Sequence, residues 1–426
     1  MLKQVQHDGA AGGWLRTFLL LWLPGAVLVV AGLPALLFAG QLNVADWCWP
    51  ALGIFLVAGW LAGGRDRAAL VGGGALAAPL LCWLAAGRLP DLLATLLLAG
   101  CVGLALAAGL QQRGRKWGRA ALCLAAALSL PILSQPAVLA PSPGPRPKLG
   151  VLSALPLFWQ EGAVGPQARA DAPIIGLLKL RYDLLAEDGV RDPILSQVDR
   201  LLIAQPRAFA PEELVAIDAW VRRGGRALVL ADPLLRWPSS LPMGDRRRAP
   251  AVSLLGPLIA HWGLEYAPDF PSESRESRGL DEQRLFMDDG RLMTVFAASP
   301  FRPTGRDCAV FAGGMAARCT VGRGSAVLIA DADLIDDRLW LADPARPADP
   351  RAWSADTPAL VAGWLGEDLG AGVRRWVVDA AHLHRGLRWA LLYGLAWAGV
   401  GTWLLRRRTG PVRVGFRPRS GDPPPS

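Results

Sequence analysis

Residues 201–233 read LLIAQPRAFAPEELVAIDAWVRRGGRALVLADP. Two short apolar runs, Val198–Ala204 and Arg226–Ala231, flank a segment that carries both start and stop signals for a helix. Pro211 stands at its first position, Glu212 and Glu213 in its first turn, Arg222 and Arg223 in its last, and Gly224 just beyond. Proline needs no N–H partner there, the charges complement the helix dipole, and glycine accepts the left-handed residue that ends a helix. Leu214, Ile217 and Val221 give the helix one apolar face. Continuous apolar strands separated by helices are covered on both faces, which predicts a mainly parallel sheet between two helical layers.

The same alternation extends outward. Leu149–Leu152 reads as a first strand, Pro173–Lys179 as a short helix and Tyr182–Leu185 as a second strand. Val252–Trp262 reads as a helix. Cys308–Ala312 and Ala316–Val321 read as a hairpin turning at Gly313-Gly314, and Ser325–Ala330 as the last core strand. Helices are expected near Leu334–Leu341 and Thr357–Leu369. Residues 269–307 are polar, with an excursion expected at Pro271–Arg278, and residues 141–148 (PSPGPRPK) read as a stiff, extended linker.

What surrounds this domain is not soluble in character. The 426 residues are 52% hydrophobic and only 19% charged, with mean hydropathy +0.29. That combination disfavours an ordinary cytosolic enzyme. Apolar stretches at 17–39, 47–64, 68–87, 92–110 and 120–139 precede the domain, and one at 386–405 follows it. Each is long enough to cross a hydrocarbon core of about 30 Å. The first is too long for the apolar region of a cleaved signal peptide, and four more follow it.

Charge decides what these stretches mean. Residues 145–385 hold 31 of the 36 acids and 29 of the 45 basic residues; the remainder holds 5 acids and 16 basic residues, a balance of +11. The excess flanks apolar segments, so it is a topology signal and not a nucleic-acid face. On one set of alternate loops and ends lie 14 basic residues, including Arg16, Arg65, Arg67, Arg113 and Arg406–Arg408; the other set holds Arg88 alone. The positive side is cytoplasmic. Six crossings then place both termini inside and 140–385 outside, in the periplasm of a bacterial inner membrane.

The expected organisation is a helical membrane region with five N-terminal spans and one C-terminal span, plus one external three-layer α/β domain. The expected boundaries are 1–140 for the membrane region, 141–148 for the linker, 149–384 for the α/β domain, 385–405 for the last span and 406–426 for a basic tail.

The quoted stretch resembles the core of the auxiliary domain of GldG-like ABC-type transport components. Those pair an E-E-L-x-A-I/L-D-x-W/Y-V-x-R-G-G-R helix with a strand ending in Asp-Pro. Residues 321–337, VGRGSAVLIADADLIDD, are similar to the same family's strand-to-helix segment. The resemblance implies a fold related to class I glutamine-amidotransferase-like domains, tethered outside the membrane, with permease and ATPase subunits as partners. This chain departs in carrying five N-terminal spans. No GxxxxGK[ST] occurs, so it is not itself the ATPase.

Ligands of open α/β sheets bind beyond the carboxyl ends of the strands. Ser153, Phe158 and Trp159 follow the first strand, Asp232 ends the strand at 226–231, and Asp331 and Asp333 end the strand at 325–330. They are the candidate ligand- or partner-binding residues, as a pocket lined by Phe158 and Trp159 above carboxylates. The plainer reading is that Asp232 and Asp331 cap turns and helix starts. Asp331, Asp333, Asp336 and Asp337 could suggest a metal, but no calcium-loop spacing supports it, and a solvated helix start is expected.

No metal and no cofactor is implied. An amidotransferase-like enzyme needs a cysteine on a strand-to-helix elbow with a histidine behind it; no cysteine stands at one. Ser153, Asp232 and His261 supply the residue types of a hydrolase triad, and a hydrolase acting at this end of the sheet is the alternative function. The leading reading is a non-catalytic auxiliary or scaffold subunit. The last expectation is a disulfide between Cys308 and Cys319. Ten residues separate them around Gly313-Gly314, a hairpin sets them opposite one another, and the outside is oxidising.

Overall fold

The computed structural model describes residues 2–113, 116–133, 138–163, 169–187, 189–190, 192–267 and 282–408. The chain divides into two compact units. One comprises Met1–Leu37, Leu42–Gln135 and Val377–Ser426; the other comprises Phe38–Gln41 and Pro136–Trp376.

The first unit is helical: α1 (Leu2–Ala39), α2 (Cys48–Ala62), α3 (Arg65–Gly73), α4 (Ala77–Ala86), α5 (Leu92–Arg113) and α6 (Trp117–Leu133), with a final long helix, Ala380–Arg408. Among the described residues, four stretches are long and apolar enough to cross a membrane: Gly13–Ala39, Val44–Ala62, Arg65–Ala86 and Leu92–Arg113. The expected fifth span is the shorter apolar helix Trp117–Ile132. The expected sixth has length to spare at 29 residues but carries Arg385 and Arg388 in its first turns and several Trp and Gly residues beyond them. The third of these stretches is not one regular helix. A 3-10 turn at Gly74–Leu76 joins α3 to α4, in the run Gly72-Gly73-Gly74 where helix propensity is lowest.

Small residues set the helix packing here. A Cβ on Gly109 would lie 2.2 Å from the Leu56 carbonyl oxygen, and one on Gly59 would lie 2.6 Å from that of Leu106, so α2 and α5 approach backbone to backbone. Without a hydrophobic gradient between helices in lipid, such close van der Waals contact is what holds spans together.

The second unit is built on a seven-stranded sheet. Its elements in chain order are β1 (Lys148–Ser153), α7 (Pro173–Leu178), β2 (Asp183–Glu187), α8 (Asp192–Gln197), β3 (Arg200–Ala204), α9 (Pro211–Arg222), β4 (Arg226–Leu230), α10 (Gly256–His261), β5 (Leu264–Tyr266), β6 (Glu282–Phe286), β7 (Leu292–Phe296), β8 (Phe301–Pro303), β9 (Cys308–Phe311), β10 (Ala316–Val321), β11 (Gly324–Ile329), α11 (Asp337–Trp340) and α12 (Thr357–Trp364); the closing helix of the chain is α13. The strand order is β2-β1-β3-β4-β11-β10-β9. β2, β1, β3, β4 and β11 run parallel, and β10 and β9 complete the sheet antiparallel.

Alternation along each strand sorts its side chains to two cores. Val151, Leu202, Leu228, Leu230, Val327 and Ile329 face a core with α7, α12, Trp340, Trp353 and Trp376. Leu152, Leu201, Ile203, Ala227, Val229 and Leu328 face the other with α8, α9 and α10.

Helix α9 begins and ends where its sequence signals lie. Glu213 Oε2 accepts the Ala210 N–H at 2.7 Å, and its other oxygen accepts the Val190 N–H at 2.8 Å, so one carboxylate ties the helix start to the loop before α8. Gly324 is needed where β11 passes the end of α9, since a Cβ there would meet the Val221 carbonyl oxygen at 2.0 Å.

Several elements are shorter than expected. α10 starts only at Gly256, because Pro257 lacks an N–H and its ring would clash with the carbonyl four residues back if the helix ran further upstream. α12 stops at Trp364, with Gly366 at φ 97° beyond it. Residues 282–303, within the stretch read from the sequence only as polar, hold β6, β7 and β8. The excursion expected at 271–278 lies outside the described residues. Residues 138–147 contain no regular element, yet they are pinned to the second unit. Leu139 N–H bonds to Ala348 O, Ser142 N–H to Leu180 O, and Arg181 to Ala140 O.

Candidate functional site

The carboxyl ends of β1, β3, β4 and β11 meet at one edge of the sheet, where the sequence-selected residues lie. Three of them come together. Asp232 follows β4, and Asp331 and Asp333 follow β11; they are 0%, 0% and 2% exposed. Each offers a carboxylate oxygen within 4.8 Å of the others'. The expected solvated helix start at Asp331 and Asp333 is therefore corrected: both are interior.

Main-chain N–H groups hold this cluster. Asp232 accepts from Leu234 at 2.7 Å and Ala332 at 3.2 Å. Asp331 accepts from Phe296 at 2.7 Å and Asp333 at 2.7 Å, and Asp333 accepts from Arg236 at 2.7 Å. Asp333 Oδ1 alone is without a partner among the described residues. The carboxylates thus tie the β4 loop, the β11 loop and the end of β7 to one another.

Burial penalises the charged forms, and mutual repulsion adds to it. Desolvation, then Asp232 and Asp333, push the Asp331 carboxyl well above the ordinary carboxylate range. Desolvation, then Asp232, raise Asp333 to about 7. Asp232 is raised chiefly by burial. Burial and mutual repulsion both favour the protonated carboxyls here. Three carboxylates at this spacing are also a donor set a small hard cation could use, but five of their six oxygens already accept an N–H.

The linkage has a definite sign. A carboxyl raised above its unfolded value holds a proton that the unfolded chain has lost, so stability falls as pH climbs from about 4 toward about 7. Asp333→Asn removes that loss while keeping an acceptor for Arg236 N–H. Its stability advantage over wild type is expected to grow by about 2 kcal/mol between pH 5 and pH 8. Thermal unfolding of the full chain in detergent at the two pH values measures this; a difference between variant and wild type that is the same at pH 5 and pH 8 contradicts it.

Ser153 is not placed for chemistry. Its hydroxyl donates to Ala204 O at 2.8 Å and accepts the Leu155 N–H at 3.0 Å, which ties β1 to β3. His261 lies on α10 beside Arg222 and Asp218, and these contacts include neither Ser153 nor Asp232. Phe158 packs half-buried against the α7–α12 core, and Trp159 is half-buried. The open pocket expected between them and the carboxylates is replaced by loop packing. Glu161 accepts hydrogen bonds from Ser239 Oγ and from the Ser240 N–H and hydroxyl, closing the loop after β1 onto the loop after β4. The cavity left there, beside Pro156 and Trp237, measures about 30 Å³, room for about one water.

The residue that organises this edge escaped the sequence reading. Gln205 follows β3, is fully buried, and sits at φ 42° without being glycine. Its side-chain amide donates to Asp232 O at 3.1 Å and Pro250 O at 2.9 Å and accepts the Asp232 N–H at 3.0 Å. The available signal was a polar residue, followed by proline, directly after a four-residue apolar run.

Cys308 and Cys319 are ladder partners on β9 and β10, with Cα atoms 4.0 Å apart and their sulfurs joined.

Residues 146–277 match the profile of a family described as ABC-type uncharacterized transport system. The match covers β1 through β5 and leaves the quoted segment 321–337 outside it. A search of curated proteins finds no match. Among solved structures, similarity is found to the exo-beta-1,4-mannosidase Op5Man5 from Opitutaceae bacterium strain TAV5, at 17% identity and TM-score 0.30 over 61% of this chain and 40% of that one. It is also found to Gan42B, a GH42 beta-galactosidase from G. stearothermophilus, at 13%, 0.27, 57% and 39%, and to the beta-galactosidase from Rahnella sp. R3 at 12%, 0.28, 52% and 33%. This chain spans two fifths or less of those enzymes, and scores this low carry no argument about its fold or chemistry. By the family match, the sheet unit from β1 to β5 is similar to an auxiliary component of an ABC-type transport system, in a chain that also carries helices able to cross a membrane.

Proposed function

We propose that the protein is a non-catalytic auxiliary or scaffold subunit of an ABC-type membrane transport assembly. In this reading it is GldG-like, with an amidotransferase-related sheet domain that has lost its nucleophile. The observation that carries it is Gln205. A nucleophile elbow is a strained, non-glycine residue at the carboxyl end of a strand, with its side chain presented to substrate. Gln205 has the strained backbone at such a strand end, but its amide is spent on holding Asp232 and Pro250. Ser153, the residue on which the alternative hydrolase depends, has its hydroxyl committed to backbone, and among the described residues no histidine is one of its hydrogen-bond partners.

The membrane arrangement proposed with it is five N-terminal spans and one C-terminal span. α6, at 17 residues, lies at the short end of membrane-spanning lengths, and α13, at 29, exceeds them. Charge asymmetry orients the spans with both termini cytoplasmic and the sheet domain periplasmic, in the inner membrane. The domain then meets the external face of a partner, and the proposed partners are a permease and an ATPase. Affinity purification of the tagged full chain from native membranes in mild detergent tests this. An ATPase carrying a phosphate-binding loop and a multi-span permease are expected to co-elute. Elution of the chain alone, with a serine-hydrolase probe labelling Ser153, would favour the hydrolase instead.

A further inference from the structure

Two adjoining cavities in the helical unit share Thr17 and Arg67. One, of about 620 Å³, runs between α1 and α2. Leu20, Leu23, Val27, Val57 and Leu61 line it, and Arg16 and Arg67 close one end. The other, of about 920 Å³, lies between the Gly63–Arg67 turn and the end of α13, where Arg65, Arg67, Arg406 and Arg408 line it. Asp66 is the one acid among the residues lining either cavity, and Arg408 pairs with it at 3.0 Å. Arg16, Arg65 and Arg67 have no carboxylate partner among the described residues.

Together the cavities form an apolar groove that opens into a cationic pocket. From Arg16 to Val27 the groove extends about 16 Å at 1.5 Å rise per residue. That is about half a hydrocarbon core of about 30 Å, the depth of one leaflet. Its walls face outward: Leu23, Val27, Val57 and Leu61 are each 43–55% exposed.

We propose that this is a binding site for one anionic glycerophospholipid. Arg16 and Arg67, with Arg65 behind them, hold the phosphate, and one acyl chain lies along Leu20, Leu23, Val27 and Val57. Charge selects the occupant. A zwitterionic lipid brings a cation to a pocket already rich in guanidinium groups. The chain's own residues 409–426, with Arg413, Arg417 and Arg419 against Asp422, carry the same sign as the pocket. An anionic lipid so placed would tie α1, α2 and α13 on the basic side of the membrane.

Native mass spectrometry of the full chain in detergent, titrated with phosphatidylglycerol or phosphatidylcholine, tests the site. Phosphatidylglycerol is expected to bind about tenfold more tightly, and Arg16→Gln with Arg67→Gln to abolish that preference. Val57→Trp, which fills the groove and leaves the arginines, is expected to lower phosphatidylglycerol binding as well, and it keeps the test decisive if the double variant fails to fold. Arg88→Gln, in a loop that lines neither cavity, should change nothing. Equal binding of the two lipids overturns the proposal, as does an unchanged preference in the double variant. Displacement of the lipid by millimolar inorganic phosphate, or a tenfold gain in lipid binding on removing residues 409–426, overturns it in favour of a free anion or the chain's own tail.

Discussion

Gln205→Ala is expected to destabilise the sheet domain by about 4 kcal/mol. The side chain makes three hydrogen bonds, two buried ones to the main chain of Asp232 and a part-buried one to Pro250 O. Alanine leaves the buried N–H and carbonyl of Asp232 and the half-buried carbonyl of Pro250 without partners, and each orphaned buried group costs about 1–3 kcal/mol. The backbone strain at φ 42° stays, because alanine tolerates that region no better. Gln205→Gly loses the same bonds but relieves the strain, so it should be less damaging than alanine by about 1 kcal/mol. For a domain of this size the alanine variant should unfold about 8–16 °C lower. Thermal unfolding of the full chain in detergent, followed by tryptophan fluorescence, measures both variants. A midpoint within about 2 °C of wild type would show that the clamp contributes little. The aspartate cluster beside it would then be held by its own N–H contacts alone.

The second large effect concerns β9, one of the sheet's two edge strands, which among the described residues pairs with β10 alone, over four residues. Cys308–Cys319 closes a loop with a sequence separation of 11. In the chain-entropy account, a loop that short restricts the unfolded state enough to stabilise the fold by about 3 kcal/mol. Cys308→Ala with Cys319→Ala is expected to lose that amount and to expose the β9 amides to hydrogen exchange before those of β10. The same bond reports location. Disulfides persist in oxidising compartments, so alkylation of unreduced protein in freshly isolated membranes should leave both cysteines unlabelled. Full labelling of both would count against the bond and against an external sheet domain.

The element types in residues 201–233 were legible because local physics determines them. Pro211, the paired glutamates, the paired arginines and Gly224 act within one helix, and the apolar runs on either side are buried whatever their partners. The charges at Arg65, Arg67 and Arg406–Arg408 were legible as a pattern for a similar reason: it depends on chain order and loop length, and no tertiary contact enters. The start of α10 and the stop of α12 were less so, since Pro257 and Gly366 act against an apolar periodicity that runs past them.

The site belonged to the tertiary structure. Asp232 and Asp331 lie about a hundred positions apart in sequence, and only the parallel pairing of β4 with β11 sets their strand ends side by side. A sequence shows that an aspartate follows a strand, but burial comes from the loops that fold over it. Whether such a carboxylate is a solvated cap or an interior acid is decided by Gln205, Glu161 and the serines at 239 and 240. The lipid groove is the same kind of feature: Arg16 and Arg67 are far apart in the chain, and only the packing of α1 against α2 and α3 brings them to one opening.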